Sequence, residues 1–127
     1  MTAVVELSGE AARKLRREQR MAALLRKCEG VVVRGDWQQS AACSGSSPDL
    51  FALDDSDSGT PSGQVHEVNL FRHEAAVRFC HRCPVRLMCL ADALERGSKG
   101  TWGAELLTDE DHLAARRVRK QMWEAKQ

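Results

Sequence analysis

Four of the five cysteines carry the chemistry most worth following. The run Cys80-His81-Arg82-Cys83-Pro84-Val85-Arg86-Leu87-Met88-Cys89 has C-x2-C-x5-C spacing, and Cys43 stands 37 positions upstream of its first thiol. A C-x2-C turn lets two thiolates approach one centre, and a third cysteine reaches it from the following helix. Zinc and iron–sulfur clusters both accept such a set of four thiolates. Structural zinc sites more often use two C-x2-C-like pairs, whereas Cys43 and Cys89 each stand alone. The spacing therefore favours an iron–sulfur cluster over zinc, and either over redox-active thiols without metal. Cys28 has no partner at metal spacing and reads as a free cysteine. His66, His73, His81 and His112 are surplus to a tetrahedral set of thiolates, so each is expected at the surface.

Composition explains why such a site is needed. The 127 residues hold 13 Leu, 10 Val, 3 Phe and no Ile, a thin supply for one small domain. Cores this poor usually depend on a disulfide, a metal or a partner. No stretch approaches the roughly 20 apolar residues of a membrane span, and the N-terminus lacks the apolar region of a signal peptide. The chain is read as cytoplasmic, where thiols stay reduced and a permanent disulfide framework is not expected. Net charge is only +1, but its distribution is uneven. Residues 1–27 carry seven Lys/Arg against three Glu, and residues 112–127 carry five against one. Residues 49–74 hold six acidic side chains and one Arg. Basic ends around an acidic middle point to different partners at different surfaces.

Helices must position the thiols. Ser8 is a candidate N-cap for a basic helix over 9–27, with Ala11, Leu15, Ala22 and Leu25 as a thin apolar stripe. An extended connector over 30–35 leads to a short helix from Trp37 to Cys43. Residues 44–63, rich in Ser, Asp, Gly and Pro, read as loop. A helix over 64–80, with Val65, Val68, Phe71, Ala75 and Phe79 inward, ends at the C-x2-C turn. Pro84 opens a helix over 84–96, and Gly97 stops it. Residues 97–103 form a tight glycine turn carrying Trp102. Thr108 and Asp111 have capping-box spacing, with Asp in place of Glu or Gln, and start a last helix toward 125. The expected class is all-α: four or five short helices gathered around a four-cysteine site rather than a deep core.

Five elements then fall in order: Asp36-Trp37 before Cys43; Pro48-Asp49-Leu50-Phe51; Cys80-x2-Cys83-Pro84-Val85-Arg86-x2-Cys89; Leu90-x2-Ala93-Leu94; and Gly100-Thr101-Trp102-Gly103. Over residues 36–107 the chain resembles the WhiB-like family of actinobacterial and actinophage transcription regulators. The resemblance implies a [4Fe–4S] cluster on Cys43, Cys80, Cys83 and Cys89. It also implies binding to region 4 of the primary sigma factor, and so to the RNA polymerase holoenzyme, through a surface beside the cluster. DNA contact through a basic C-terminal segment, a response to nitric oxide or oxygen at the cluster, and a disulfide reductase activity credited to some apo-forms are implied as well. Division into a basic extension (1–35), an iron–sulfur domain (36–107) and a basic C-terminal helix (108–127) follows. Two departures stand out. Ala104 replaces the second glycine of the family's Gly-Val/Ile-Trp-Gly-Gly turn, and is expected to stiffen or reshape it. Phe51 is followed by Ala52 where the family often has a second Phe.

The remaining candidates follow from this frame. Trp37, Phe51 and Trp102 are three of six aromatics. They either shield the cluster and fill a small core, or anchor a partner as Trp often does; with Gly103 they are expected to face the sigma factor. Arg116, Arg117, Arg119 and Lys120 are the candidate DNA contacts, tracking phosphates without reading bases. The basic stretch Arg13, Lys14, Arg16, Arg17 and Arg20 is read as a solvated extension. A thiol–disulfide reductase using Cys80 and Cys83 is the enzymatic rival, but no thioredoxin-like βαβ pattern accompanies it. A zinc-stabilised interaction module is the third. No membrane and no small-molecule substrate are expected.

Overall fold

The computed structural model of the chain describes residues 8–43, 51–52 and 64–127. Its helices are α1 (Gly9–Lys27), α2 (Val65–His81), α3 (Arg86–Arg96) and α4 (Asp109–Ala125), with one 3₁₀ turn at Trp37–Ser40. A two-stranded antiparallel hairpin, β1 (Gly100–Trp102) and β2 (Glu105–Leu107), lies between α3 and α4, with Trp102 opposite Glu105. The loop expected over 44–63, including Pro48, Asp49 and Leu50, lies outside the described residues except for Phe51 and Ala52.

Helix ends follow local chemistry. Ser8 Oγ accepts the Ala11 N–H at 3.1 Å and opens α1, whose Ala-, Arg- and Leu-rich run contains no β-branched residue. Gly97, at φ 71°, ends α3 in the left-handed conformation. The capping box of α4 is present in both directions, with Asp111 N–H to Thr108 Oγ1 at 3.2 Å and Thr108 N–H to Asp111 Oδ2 at 3.0 Å. Pro84 falls two residues before α3, which starts at Arg86 rather than 84. The expected helix to Cys43 is a single 3₁₀ turn, and Cys43 lies beyond it.

The all-α expectation is corrected to mostly α. Gly103 and Ala104 both have positive φ (57° and 71°), the requirement of a two-residue type I′ hairpin turn. That turn reverses the chain tightly enough to pair three residues on either side. Gly100 is forced by a different contact. A Cβ there would lie 2.0 Å from the Phe51 carbonyl oxygen, which instead accepts the Thr101 N–H at 2.8 Å.

The basic N-terminal segment is not a solvated extension. Met21 and Leu24 of α1 pack with Leu90, Ala93 and Leu94 of α3, Leu107 of β2, and Ala114 and Ala115 of α4 in the largest core cluster. Met21 and Leu107 are fully buried, whereas Leu15 is 43% exposed; the true inward stripe of α1 is rotated from the expected one. Arg17 pairs with Glu110 and Asp111, and Arg20 with Glu105 and Asp111. Arg20 also donates to the Leu106 carbonyl at 2.8 Å. These bonds draw α1 onto the hairpin and the start of α4. In α2 the expected inward Phe71 is 73% exposed, and Ala76 and Cys80 are buried instead.

Candidate metal centre

Cys80 lies in the last turn of α2, Cys83 follows that helix, Cys89 is one turn into α3, and Cys43 lies beyond the 3₁₀ turn. All four line one cavity of about 490 Å³. Its lining includes Trp37, Ala41, Phe51, Phe79, Trp102 and Gly103. Two small apolar clusters meet here. Trp37, Ala41 and Val85 hold Cys43, Cys83 and Cys89, while Phe51, Ala76 and Cys80 hold Cys43, Phe79 and Ala104. Cys43 belongs to both, so this one side chain joins the Trp37 segment to the α2 side of the site. The Phe51 and Phe79 rings lie 6.2 Å apart and tilted, with the Arg82 guanidinium 5.1 Å from the Phe79 centroid.

The hairpin turn completes the donor set. Backbone N–H groups of Gly103 and Ala104 donate to the sulfurs of Cys89 and Cys80. Consecutive amides in such a turn form a concavity that favours anionic sulfur, as at many iron–sulfur sites. The close approach explains Gly103: a Cβ would come within 2.6 Å of the Arg86 carbonyl oxygen and 2.7 Å of Leu90 Cβ. Sequence reasoning had Gly103 as a partner contact and missed its amide. The clue was the glycine following Trp102 in a turn that must press against the cysteine helix.

Electrostatics describe a site that resists thiolates when bare. Burial is the main force raising Cys43, Cys80 and Cys89, and neighbouring cysteines add to it in each case. Cys89 is pushed up to about 12. A thiol–disulfide reductase needs the reverse, a depressed thiol in an electropositive, partly open setting, and burial raises Cys80, one of the two thiols that rival would use. Positive charge among the sulfurs is what would lower all of them together. Four soft donors, apolar walls and two aimed amides suit a thiolate-ligated metal group. Among the described residues no three His, Cys, Asp or Glu side chains are arranged to hold a single metal ion.

The remaining candidates are spread over the cavity walls, the main core and α4. Trp37 and Phe51 are buried at 8% and 9% exposure, serving as walls. Trp102 stays partly exposed, packing on the main core while its Nε1–H donates to the Lys99 carbonyl at 2.9 Å. His112 is buried and donates from Nε2 to the Ser98 carbonyl at 2.7 Å. His73, partly buried, hydrogen-bonds Thr101 Oγ1 at 2.9 Å. These two histidines are structural bonds between elements, not surface residues. Cys28 is a free cysteine, half-buried against the main core. On α4, Arg116, Arg119 and Lys120 are exposed, whereas Arg117 is held by Glu18 at 3.0 Å.

Comparison with known proteins settles the lineage. The family model for transcription factor WhiB matches residues 37–113. The chain belongs to the WhiB family. Transcriptional regulator WhiD of Streptomyces coelicolor is 36% identical over 82 residues, covering 64% of this chain and 67% of WhiD. Transcriptional regulator WhiB1 of Mycobacterium tuberculosis is 31% identical over 83 residues, covering 65% of this chain and 86% of WhiB1. No solved structure gave a significant match. The WhiB match contains all four cavity cysteines and the hairpin, and begins after α1. None of the described helices of this WhiB-family chain is long and apolar enough to cross a membrane.

Proposed function

We propose that this WhiB-family transcription regulator holds a [4Fe–4S] cluster on Cys43, Cys80, Cys83 and Cys89 and binds region 4 of the primary sigma factor beside it. The carrying observation is the convergence of four thiols from separate segments on one apolar-walled cavity of about 490 Å³. A lone tetrahedral zinc at about 2.3 Å from each sulfur would draw the sulfurs within about 4 Å of one another. So large a cavity is better matched by a cluster. When bound, the cluster supplies a redox centre reactive toward oxygen and nitric oxide.

The protein's own residues convert ligation into surface shape. Cys43 tethers the Trp37 segment to α2 and α3, and the Gly103 and Ala104 amides press the hairpin against Cys89 and Cys80. Trp102 then sits at a fixed height on the cavity rim, beside Gly103. Release of the sulfurs frees the Trp37 segment and the hairpin turn together, altering the surface offered to the sigma factor. Arg116, Arg119 and Lys120 on α4 contact DNA phosphates, adding affinity and salt sensitivity rather than base readout. Promoter choice then comes largely through the sigma factor.

Calorimetric titration of purified sigma region 4 into anaerobic protein tests this reading. Wild type is expected to bind, and Cys83→Ala and Trp102→Ala to lose binding. Wild-type affinity in Cys83→Ala would sink the cluster-shaped surface.

A further inference from the structure

The C-x2-C turn carries two side chains beside its thiols that the cluster and sigma reading leaves unused. Phe79 immediately precedes Cys80, and Arg82 stands between Cys80 and Cys83. The Arg82 N–H donates to the Phe79 carbonyl at 3.3 Å where α2 ends. Residues three apart in a helical turn share a face, and the Arg82 guanidinium carbon lies 5.1 Å from the Phe79 ring centroid. That distance is within cation–π range.

The ring beneath belongs to the cavity lining. Phe79 and Phe51 both line the cavity of the four cysteines, with centroids 6.2 Å apart and planes tilted by 56°. Ala52 lines it as well but offers no ring, so the aromatic neighbour of Phe51 comes from α2. Phe51 is fixed on the hairpin side: its carbonyl oxygen accepts the Thr101 N–H at 2.8 Å, in space that a Cβ on Gly100 would take. Phe79 is only partly buried, whereas Arg82 is exposed and is not among the lining residues. The stack therefore runs from hairpin to solvent as Phe51, Phe79 and Arg82, and its partly exposed ring is covered from outside by a cation.

We propose that the Arg82–Phe79 pair is a shutter on the cysteine cavity: the guanidinium holds the Phe79 ring against Phe51, and this sets how readily dioxygen reaches the bound cluster. The inference rests on the cluster reading above and adds access control by two residues that are not ligands. Arg82 is a positioning residue, acting through the ring. Where dioxygen enters through the state with the ring displaced, loss of the contact raises the population of that state and the rate with it. A cation–π contact at an exposed site corresponds to roughly a two- to five-fold change in such a population.

The test is the rate at which the visible absorption band bleaches when anaerobically purified full-length protein is mixed with air-saturated buffer. Wild type, Arg82→Ala, Arg82→Lys, Phe79→Leu and the Phe79→Leu/Arg82→Ala double variant are compared. Iron, acid-labile sulfide and anaerobic thermal melting are measured on each. Bleaching is expected to be roughly two- to five-fold faster in Arg82→Ala, with iron and sulfide unchanged and melting close to wild type, because Arg82 is exposed. Arg82→Lys keeps a cation over the ring and is expected to restore most of the wild-type rate. Phe79→Leu keeps apolar bulk but no π face; its bleaching is expected to be faster, with nothing further added by Arg82→Ala. A wild-type rate in Arg82→Ala with the cluster intact overturns the inference and leaves the cluster reading standing. Equal acceleration by Arg82→Ala with and without the ring also overturns it, and assigns the effect to charge alone. A wild type lacking iron and sulfide overturns both.

Discussion

Ala104 is the sharpest place to test the physical account, because a single methyl group sits where the backbone disfavours it. Its φ of 71° is the left-handed conformation, which costs an L-residue roughly 1–2 kcal/mol. Glycine removes that cost but adds about 0.4–1 kcal/mol of unfolded-chain entropy to be lost on folding. Ala104→Gly is therefore expected to stabilise the protein by about 0.5–1 kcal/mol. For a chain of this size that is a rise in Tm of roughly 2–5 °C. The neighbour behaves oppositely. Gly103→Ala would force a Cβ to 2.6 Å from the Arg86 carbonyl oxygen, against backbone that cannot step aside, and is expected to cost roughly 2–4 kcal/mol. Both variants keep their N–H groups, so the difference reports strain and packing rather than a lost donor. The assay is thermal denaturation of anaerobically purified protein followed by circular dichroism. An unchanged or lowered Tm in Ala104→Gly, or a tolerated Gly103→Ala, refutes the type I′ turn reasoning.

The other expectations concern α1, the caps and pH. Met21→Ala, at a fully buried position, should cost about 2–4 kcal/mol by chemical denaturation; a change below ~0.5 kcal/mol would return α1 to the status of an appendage. Arg20→Ala removes a donor to the Leu106 carbonyl and one of the two arginine pairings of buried Asp111, and should cost about 1–3 kcal/mol, whereas exposed Arg16→Ala should fall within about 0.5 kcal/mol of wild type. Thr108→Ala, which breaks the α4 capping box, should cost about 1 kcal/mol. Burial holds His73 below its ordinary value of 6.5, so its stabilising contribution is complete above pH 6.5 and is lost as pH falls through its folded pKa. A His73→Gln variant should show a flatter decline of stability on acidification; an identical decline would remove His73 as a contributor.

How far the sequence could be read depended on whether a feature was local. Ser8, Gly97 and the Thr108–Asp111 pair act on backbone within four residues, and the α1, α3 and α4 ends they mark are found where expected. The four cysteines were legible from type and spacing, and they do line one cavity. The hairpin was hidden because three-residue strands leave no alternation to detect, and because Ala104 occupies a position where glycine would have announced the turn. The packing of α1 was hidden by its charges. Seven Lys/Arg in residues 1–27 look solvated until Arg17 and Arg20 are seen to meet acidic partners some ninety residues away. Phe71 misled for the reverse reason: its position in the period pointed inward, yet the inward face of α2 is taken by Ala76 and Cys80.

Iron and acid-labile sulfide per chain, measured on anaerobically purified protein beside Cys43→Ala, test the central claim most directly. About four of each in the wild type is the composition of the single cluster proposed; the account predicts this, with a broad visible absorption band that Cys43→Ala loses. A colourless wild type holding one zinc and no sulfide would contradict it and leave a structural, partner-binding module.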